Sequence, residues 1–425
     1  MTTTPSRPVT SWPGLHSVPT GFKAQVSARI ARQLFRAAVR RLPVSVHDGS
    51  TVHGLGGPSM VLHRPDEFYA RIGRDGLIGF GESYQTGAWE AADLGGFLTV
   101  LAAELPTLIP APLQKLRAAY VRRPPRAHEN NERNTQDNIA HHYDLSNDLF
   151  RLFLDDTLSY SSALYDTSVV DRGDHLVAAP PEGRDHESLA EAQVRKIERL
   201  LDQTGVGEGT RVLEIGTGWG ELAIHAARRG ATVHSVTLSR EQLDLAEQRI
   251  AAAGLSDRVT VELSDYRAVE GTYDAVVSVE MIEAVGHEYW STYFRTIDRL
   301  LAPRGRVGIQ AITMPHDRML ATRRTWTWIN KYIFPGGFLP SVQAIEQVTR
   351  ADTSLRVVDR LSFGQHYAET LRRWDTAFQA ARDQVRELGF DEIFERMWHF
   401  YLDYSRAGFA SGYLDVQQLT LAREA

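Results

Sequence analysis

The sequence predicts an α/β protein, a doubly wound and mostly parallel sheet with a smaller α+β domain ahead of it. Three observations carry that prediction. Between 211 and 279, four short apolar runs (RVLEI, ATVHSVTL, VTVEL and YDAVVSV) alternate with stretches of helical pattern. The first run leads into Gly216, Gly218 and Gly220, a glycine turn opening a helix at Glu221, and such a sheet takes its ligand outside the carboxyl ends of the strands. Ahead of them, 44–81 is rich in glycine and short β-like runs (VSVHDG, SMVLHR, GLIGFG), and Pro124-Pro125 marks a linker. The expected division is a mobile tail over 1–20, an N-terminal domain over 21–125 and the main domain over 126–425.

Taken in order, Ala24–Leu42 reads as a helix with Val26, Ile30, Leu34, Ala38 and Leu42 on one face and Arg29, Arg32, Arg36 and Arg40 on another. Such a helix either buries its apolar side in its own domain or lies on an anionic lipid surface. Phe97–Leu105 is a second helix, Arg117–Arg126 a linker, and Ile139–Leu154 a helical stretch in which adjacent His141 and His142 face different ways and make poor joint metal ligands. Thr167–Ser188 reads as a surface loop. In the sheet region the strands are 231–238, 259–263, 273–279 and 305–313, with helices at 239–250, capped by Ser239, and at 290–300. Met319–Phe334 reads as one aromatic helix stopped by Pro335-Gly336-Gly337. The stripes Leu371, Trp374, Phe378, Val385, Leu388 and Phe394, Met397, Trp398, Tyr401, Tyr404 read as core.

Composition narrows the function. With 425 residues, 43% of them hydrophobic, the chain can bury a large core. A net charge of −6 argues against a nucleic-acid protein held by global electrostatics, and the absence of cysteine excludes thiolate chemistry and disulfides. No run is long and apolar enough to span a bilayer, and 1–20 lacks the apolar core of a secretory signal, so a cytoplasmic protein is expected, with no metal centre.

The glycine turn alone is weak evidence. A nicotinamide enzyme places an acid at the end of the second strand for the ribose, whereas this chain has Thr237-Leu238-Ser239. S-adenosylmethionine is favoured instead, with Glu214, Thr237, Gln242 and Asp265 near its methionine, ribose and adenine parts.

The motifs HYDLSNDLFRLFLDDTLSYSSALY (142–165), LEIGTGWG, VTLSREQ, SVEMIEAVGHE (278–288), YIFPGGFLPS (332–341), HYAETLRRW (366–374) and GFDEIFERMWHFYLDYSRAGF (389–409) together resemble the cyclopropane-fatty-acyl-phospholipid synthase family. The similarity runs from about Asn134 to about Gly412, and 80–98 looks like the N-terminal domain of the family's long members. The resemblance implies a Rossmann-like class I methyltransferase fold behind a lipid-associated N-terminal domain. The implied reaction is methyl transfer from S-adenosylmethionine to a cis double bond in a phospholipid acyl chain. Loss of a proton from the resulting carbocation gives a cyclopropane or, after a hydride shift, a methylene branch; a reductase partner would complete a methyl branch. The cation needs a dry, aromatic pocket, and the Trp, Tyr and Phe residues between 326 and 338, with Tyr367, are the candidates.

The resemblance further implies bicarbonate as a bound base, held by a cysteine, a glutamate, a histidine, a tyrosine and a backbone contact. The glutamate maps to Glu283, the tyrosine to Tyr367 and the backbone contact to Ile312. The cysteine and histidine positions are Ser162 and Gln310, a departure that favours a methylene-branched product and admits another base, Glu283 itself. The extended 167–188 loop is a second departure. For the cofactor the matching positions are Tyr143, Tyr160 and Ser161 at the methionine, Gly216, Gly218 and Gly220 beneath it, Thr237, Leu238 and Gln242 around the ribose, and Asp265 with Tyr266 at the adenine. A homodimer and peripheral association with the inner face of the membrane are also implied. Two competing functions remain at this point: methylation of a small polar acceptor, and a non-catalytic lipid-binding scaffold.

Overall fold

The computed structural model describes Trp12, 14–108, 146–182 and 187–424. Most of the tail, the linker, His141, His142 and Tyr143 lie outside the described residues. Two compact units divide the chain: Met1–Arg123, Thr325–Ile333 and Leu371–Tyr413 form one, and Pro124–Arg324, Phe334–Thr370 and Leu414–Ala425 the other.

In the first unit α1 (Phe22–Val39) leads to β1 (Ser45–Asp48), β2 (Thr51–His53), β3 (Ser59–Leu62), α2 (Pro65–Asp75), α3 (Leu77–Gln85), β4 (Trp89–Ala91) and α4 (Leu94–Leu108). The strands make a small sheet in the order β2-β1-β3-β4. Phe68, Phe80, Trp89 and Phe400 interlock as tilted and edge-on rings at its core. GLIGFG, expected to be β-like, is helical in α3. A Cβ on Gly79 would stand 2.1 Å from the Arg71 carbonyl, and one on Gly81 2.5 Å from the Trp328 ring, so these glycines serve close packing and not extended backbone. The apolar stripes over 371–404 are core for the most part, with Trp374, Phe378, Phe394 and Trp398 at 0% exposure, whereas Leu388 is half-buried and Tyr404 is exposed.

The apolar face read on α1 divides: Ala38 is half-buried and Leu42, just past the helix end, is buried, but the rest faces outward. Val26, Ile30 and Leu34 are exposed, while Ala31 and Val39 are buried. The contact with α2 combines a close backbone approach, where a Cβ on Gly73 would lie 2.6 Å from the Ser27 carbonyl carbon, with the Phe35 ring, which packs edge-on against Phe68 and Tyr69. Arg32 and Arg36 reach over to Asp66 and Asp48.

The second unit opens with α5 (Asn147–Arg151), β5 (Val169–Asp171), β6 (Leu176–Ala178) and α6 (Leu189–Thr204). It continues with β7 (Arg211–Ile215), α7 (Glu221–Arg228), β8 (Thr232–Thr237), α8 (Arg240–Ala252), β9 (Val259–Leu263) and β10 (Tyr273–Val279). After α9 (Ile282–Val285) and α10 (Trp290–Leu300) come β11 (Leu301–Thr313), β12 (Leu355–Ser362) and β13 (Asp415–Arg423). The nine described strands order as β5-β6-β12-β13-β11-β10-β7-β8-β9. The five strands from β11 to β9 run parallel, as the sequence predicts, and β13 enters antiparallel between β11 and β12. Alternate residues of β7 and β10 feed two cores: Leu213, Ile215 and Val276 pack under α10, and Val212, Ala275 and Val277 under α6, α7 and α8.

Two expectations fail here. The stretch 167–188 is not merely a loop, since β5 and β6 extend the sheet beyond β12. Met319–Phe334 is not one helix: it breaks between His316–Thr322 and Trp328–Tyr332, where the Thr327 hydroxyl accepts from the Asn330 N–H and starts a new turn. The break falls at the division between the units, so Trp326, Trp328 and Tyr332 belong to the first. There Trp328 is 2% exposed and packs edge-on against Phe400, so its ring is committed to that core and not to a cation pocket.

Candidate active site

β7 and β10 are neighbours from which the chain departs in opposite directions across the sheet, and the crevice of a doubly wound sheet forms at that switch point. Beyond Ile215 the Gly216 N–H donates to the Val236 carbonyl at 3.0 Å, which ties the turn to β8. All three glycines have positive φ, +97°, +52° and +88°, but their neighbours differ. A Cβ on Gly216 would meet Met281 Cγ at 2.5 Å and one on Gly220 would press on Ala246 at 3.2 Å, whereas one on Gly218 would meet nothing within 4 Å. Only Gly218 therefore keeps ligand space open; the other two serve packing.

The cleft above the turn is lined by Tyr160, Ser161, Glu214, Thr237, Leu238, Gln242 and Tyr266, among others. Gln242 is held by a hydrogen bond from Thr237 Oγ1 at 2.9 Å, and its own N–H caps onto Ser239. Glu214 accepts from Ser235 Oγ, and burial pushes its carboxyl up to about 8. Asp265 turns its carboxylate to the Arg267 guanidinium, with Nε at 2.8 Å, and it is Ser264 and Tyr266 beside it that line the cleft. The open space at Gly218, the hydroxyl and amide groups at the second strand end and the absence of an acid there fit S-adenosylmethionine.

The far wall comes from the segment 157–163, laid over the cleft by α6. Gln193 Nε2 donates to the Ser159 and Ser161 carbonyls, and Lys196 Nζ donates to Ser161 Oγ at 2.7 Å. Lys196 is 2% exposed and lines the cleft, and burial lowers its ammonium to about 8. The same stretch of chain is fixed from behind by His366 and Thr370: the Ala163 N–H donates to Thr370 Oγ1 and the Tyr165 N–H to His366 Nδ1. With Nε2 against the Ala179 carbonyl at 2.9 Å, His366 is a neutral structural imidazole whose burial lowers it to about 4.

Next to the cleft, three of the five positions mapped to the bicarbonate site, Ser162, Gln310 and Tyr367, converge on a side chain that sequence reading missed. Glu280 Oε1 accepts from the Ser162 backbone N–H at 2.9 Å and from Gln310 Nε2 at 2.9 Å, and its Oε2 accepts from the Tyr367 hydroxyl at 2.9 Å. Gln310 is oriented by Gln418, whose Nε2 donates to its Oε1 at 3.1 Å. The donors assigned to a bound anion thus hold a carboxylate of the chain itself. Glu280 has φ +52°, a conformation rare for a residue with a side chain. It follows β10 directly, where Val279 and Met281 on either side line the cleft. Ser162 differs from the expected role in another way: its hydroxyl donates to the Ala163 carbonyl and only its backbone reaches Glu280.

Glu283, one turn on, is 9% exposed; its Oε1 accepts from the Ile312 N–H, and its Oε2 has no partner among the described residues. Burial, and then the charge of Glu280, push Glu283 up to about 8. Glu280 is raised by burial but pulled back by Ser162, Gln310, Lys196 and Tyr367. Three donors on Glu280 favour its ionised form, while Glu283 has, among the described residues, a single donor on one oxygen and none on the other, so the donor sets suit Glu280 to be an ionised base beside a protonated neighbour. Phe338, whose N–H donates to the Glu283 carbonyl, stacks on Trp290 and supplies an aromatic face in this unit. The signal for Glu280 was present as two acids three apart straight after a strand, but spacing does not tell which of them points at the donors.

A strand, glycine turn and helix at the switch point, walled by hydroxyl and amide groups, define an S-adenosylmethionine-dependent methyltransferase of class I. The family model for mycolic acid cyclopropane synthetase matches 130–419, and the chain belongs to that family. It is 53% identical over 427 residues, 99% of this chain and 98% of the relative, to the tuberculostearic acid methyltransferase UfaA1 of Mycobacterium tuberculosis. It is 32% identical over 88% of this chain and 90% of the relative to the cyclopropane-fatty-acyl-phospholipid synthase of Escherichia coli K12. Among solved structures, that of mycolic acid cyclopropane synthase CmaA1 with SAH and CTAB superposes with a TM-score of 0.59 at 32% identity, over 67% of this chain and 97% of that one. The protein is thus an S-adenosylmethionine-dependent enzyme of the fatty-acyl-modifying, cyclopropane synthase type.

Proposed function

We propose that this enzyme methylates the cis double bond of an unsaturated phospholipid acyl chain to give a methylene-branched chain, with Glu280 as the base. When bound, S-adenosylmethionine supplies an electrophilic methyl on a sulfonium. The alkene π electrons form the new C–C bond as the C–S bond breaks, and the neighbouring acyl carbon becomes a cation. A hydride shifts from the methyl-bearing carbon to that cation. Glu280 then takes a proton from the new methyl, and the C–H electrons become the exocyclic double bond. The observation that carries this reading is the Glu280 carboxylate, held at 2.9 Å by each of Ser162, Gln310 and Tyr367. A tethered base has one fixed direction of approach, which favours a single deprotonation outcome. The name of the 53%-identical relative supports a fatty-acid methyltransferase.

The test is expression in a host with oleoyl phospholipids, followed by mass spectrometry of the fatty-acid methyl esters. A gain of one CH2 is expected, and ozonolysis identifies an exocyclic alkene; a ring would overturn the product assignment. An unchanged lipid profile from a folded, cofactor-binding protein would favour the small polar acceptor. Glu280→Gln should keep S-adenosylhomocysteine affinity and lose about 10²–10⁴-fold in turnover. Glu283→Gln, which resembles the protonated acid, should lose much less. Turnover by the wild type should not depend on added bicarbonate, and a requirement for it would remove Glu280 from the role.

A further inference from the structure

We infer that the outer face of α1 is a docking surface for an anionic phospholipid bilayer. Phe22, Val26, Ile30 and Leu34 are 82%, 45%, 52% and 45% exposed. Set four residues apart, they drift by about 40° each and cover a band about 120° wide along the helix. A helix packed only to stabilise its own domain turns all its large apolar residues inward; α1 turns Ala31, Phe35 and Val39 to its own domain and lays Ser27 against Gly73, yet leaves these four outside. Beyond the far end of the helix Leu55 is a further exposed apolar residue, 71% exposed, whose N–H donates to the Leu42 carbonyl.

Charge identifies what covers this face. From Phe22 to Leu42 the chain carries Lys23, Arg29, Arg32, Arg36, Arg40 and Arg41 and no acid, in a protein of net charge −6. Arg32 and Arg36 are paired with Asp66 and Asp48, whereas Lys23, Arg29, Arg40 and Arg41 are exposed and have no ion pair among the described residues. Arg40 stands five helical turns from Phe22, at the same azimuth, and Lys23 lies at the opposite end. With the helix lying flat, Val26, Ile30 and Leu34 enter the acyl boundary at its middle while the cations at its ends reach lipid phosphates. A second copy of the same face would bring cation against cation, which disfavours self-association.

This inference does not depend on the identity of the methyl acceptor, because binding is measured without turnover. The full-length protein is floated with vesicles of phosphatidylcholine alone and of an equal mixture with phosphatidylglycerol. The wild type should float with the mixture, release as salt rises, and bind pure phosphatidylcholine weakly. Ile30→Glu/Leu34→Glu, at exposed positions that leave the fold intact by circular dichroism and melting, should lower binding by about tenfold or more. Arg29→Glu/Arg40→Glu should lower it on the mixed vesicles only. Unchanged flotation of the Ile30→Glu/Leu34→Glu variant, or equal wild-type binding to both vesicles, would overturn the inference. So would light scattering that shows a wild-type oligomer split by the same substitutions, which would make a second copy the occupant.

Discussion

Around Glu280 the charges of single residues decide the chemistry. Lys196 is one of two cationic residues buried among those described, the other being Arg71, which pairs with Glu67. Glu280, Asp155 and Glu221 are the carboxylates whose charge Lys196 feels, and its own charge pulls Glu280 back toward the usual carboxylate range. Tyr367 and Gln310 act on Glu280 in the same direction, and Glu283 is a second carboxyl nearby. A base must be ionised, so turnover falls as pH drops through the Glu280 pKa. Lys196→Met should move that acid limb of kcat upward by about one pH unit. A residue that merely filled space would leave the limb where it was. The sequence made Ser162, Gln310 and Tyr367 visible as a set but left their common target unseen, because φ +52° at Glu280 is a property of the folded backbone and not of residue spacing.

At the scale of elements, the glycine turn and the helix carrying His366 make separable predictions. Gly218→Ala places its methyl in open cleft space at a φ that costs about 1–2 kcal/mol, so it should weaken S-adenosylhomocysteine binding in calorimetry more than Gly216→Ala does. Gly216→Ala adds a collision with Met281 and should show the larger loss in urea unfolding. His366 is held neutral, its pKa lowered to about 4 by burial from a usual value of 6.5. In that window the unfolded chain binds a proton that the folded one refuses, so stability should fall as pH drops from above 6.5 towards 4, by up to about 3 kcal/mol. His366→Gln lacks this titration, and denaturant melts at pH near 7 and near 5 should show a smaller difference than the wild type. The strands at 259–263 and 273–279 and the Ser239 cap were legible because period and capping are local. The strands inside 167–188 were not, since β5 and β6 are three residues each, β5 is exposed, and both are defined by pairing, β5 to β6 and β6 to β12.

Over the whole molecule, the described residues that build the cofactor cleft all belong to the second unit. Saturation with S-adenosylhomocysteine at about a hundred times its Kd should raise the stability of that unit by about 2.7 kcal/mol, read as a shift of its transition in scanning calorimetry. Among the described residues no helix is long and apolar enough to cross a membrane. What the sequence determined by itself was the parallel sheet, its glycine turn, its cofactor and its family, because these rest on alternating apolar runs and on motifs that keep their order along the chain. What only the tertiary structure decided was the direction of side chains: that α1 turns Val26, Ile30 and Leu34 outward, that Trp328 belongs to the core of the first unit, and that three donors from distant segments meet at Glu280. The physical reason is that periodicity defines a face, while only packing against the rest of the chain determines where that face points.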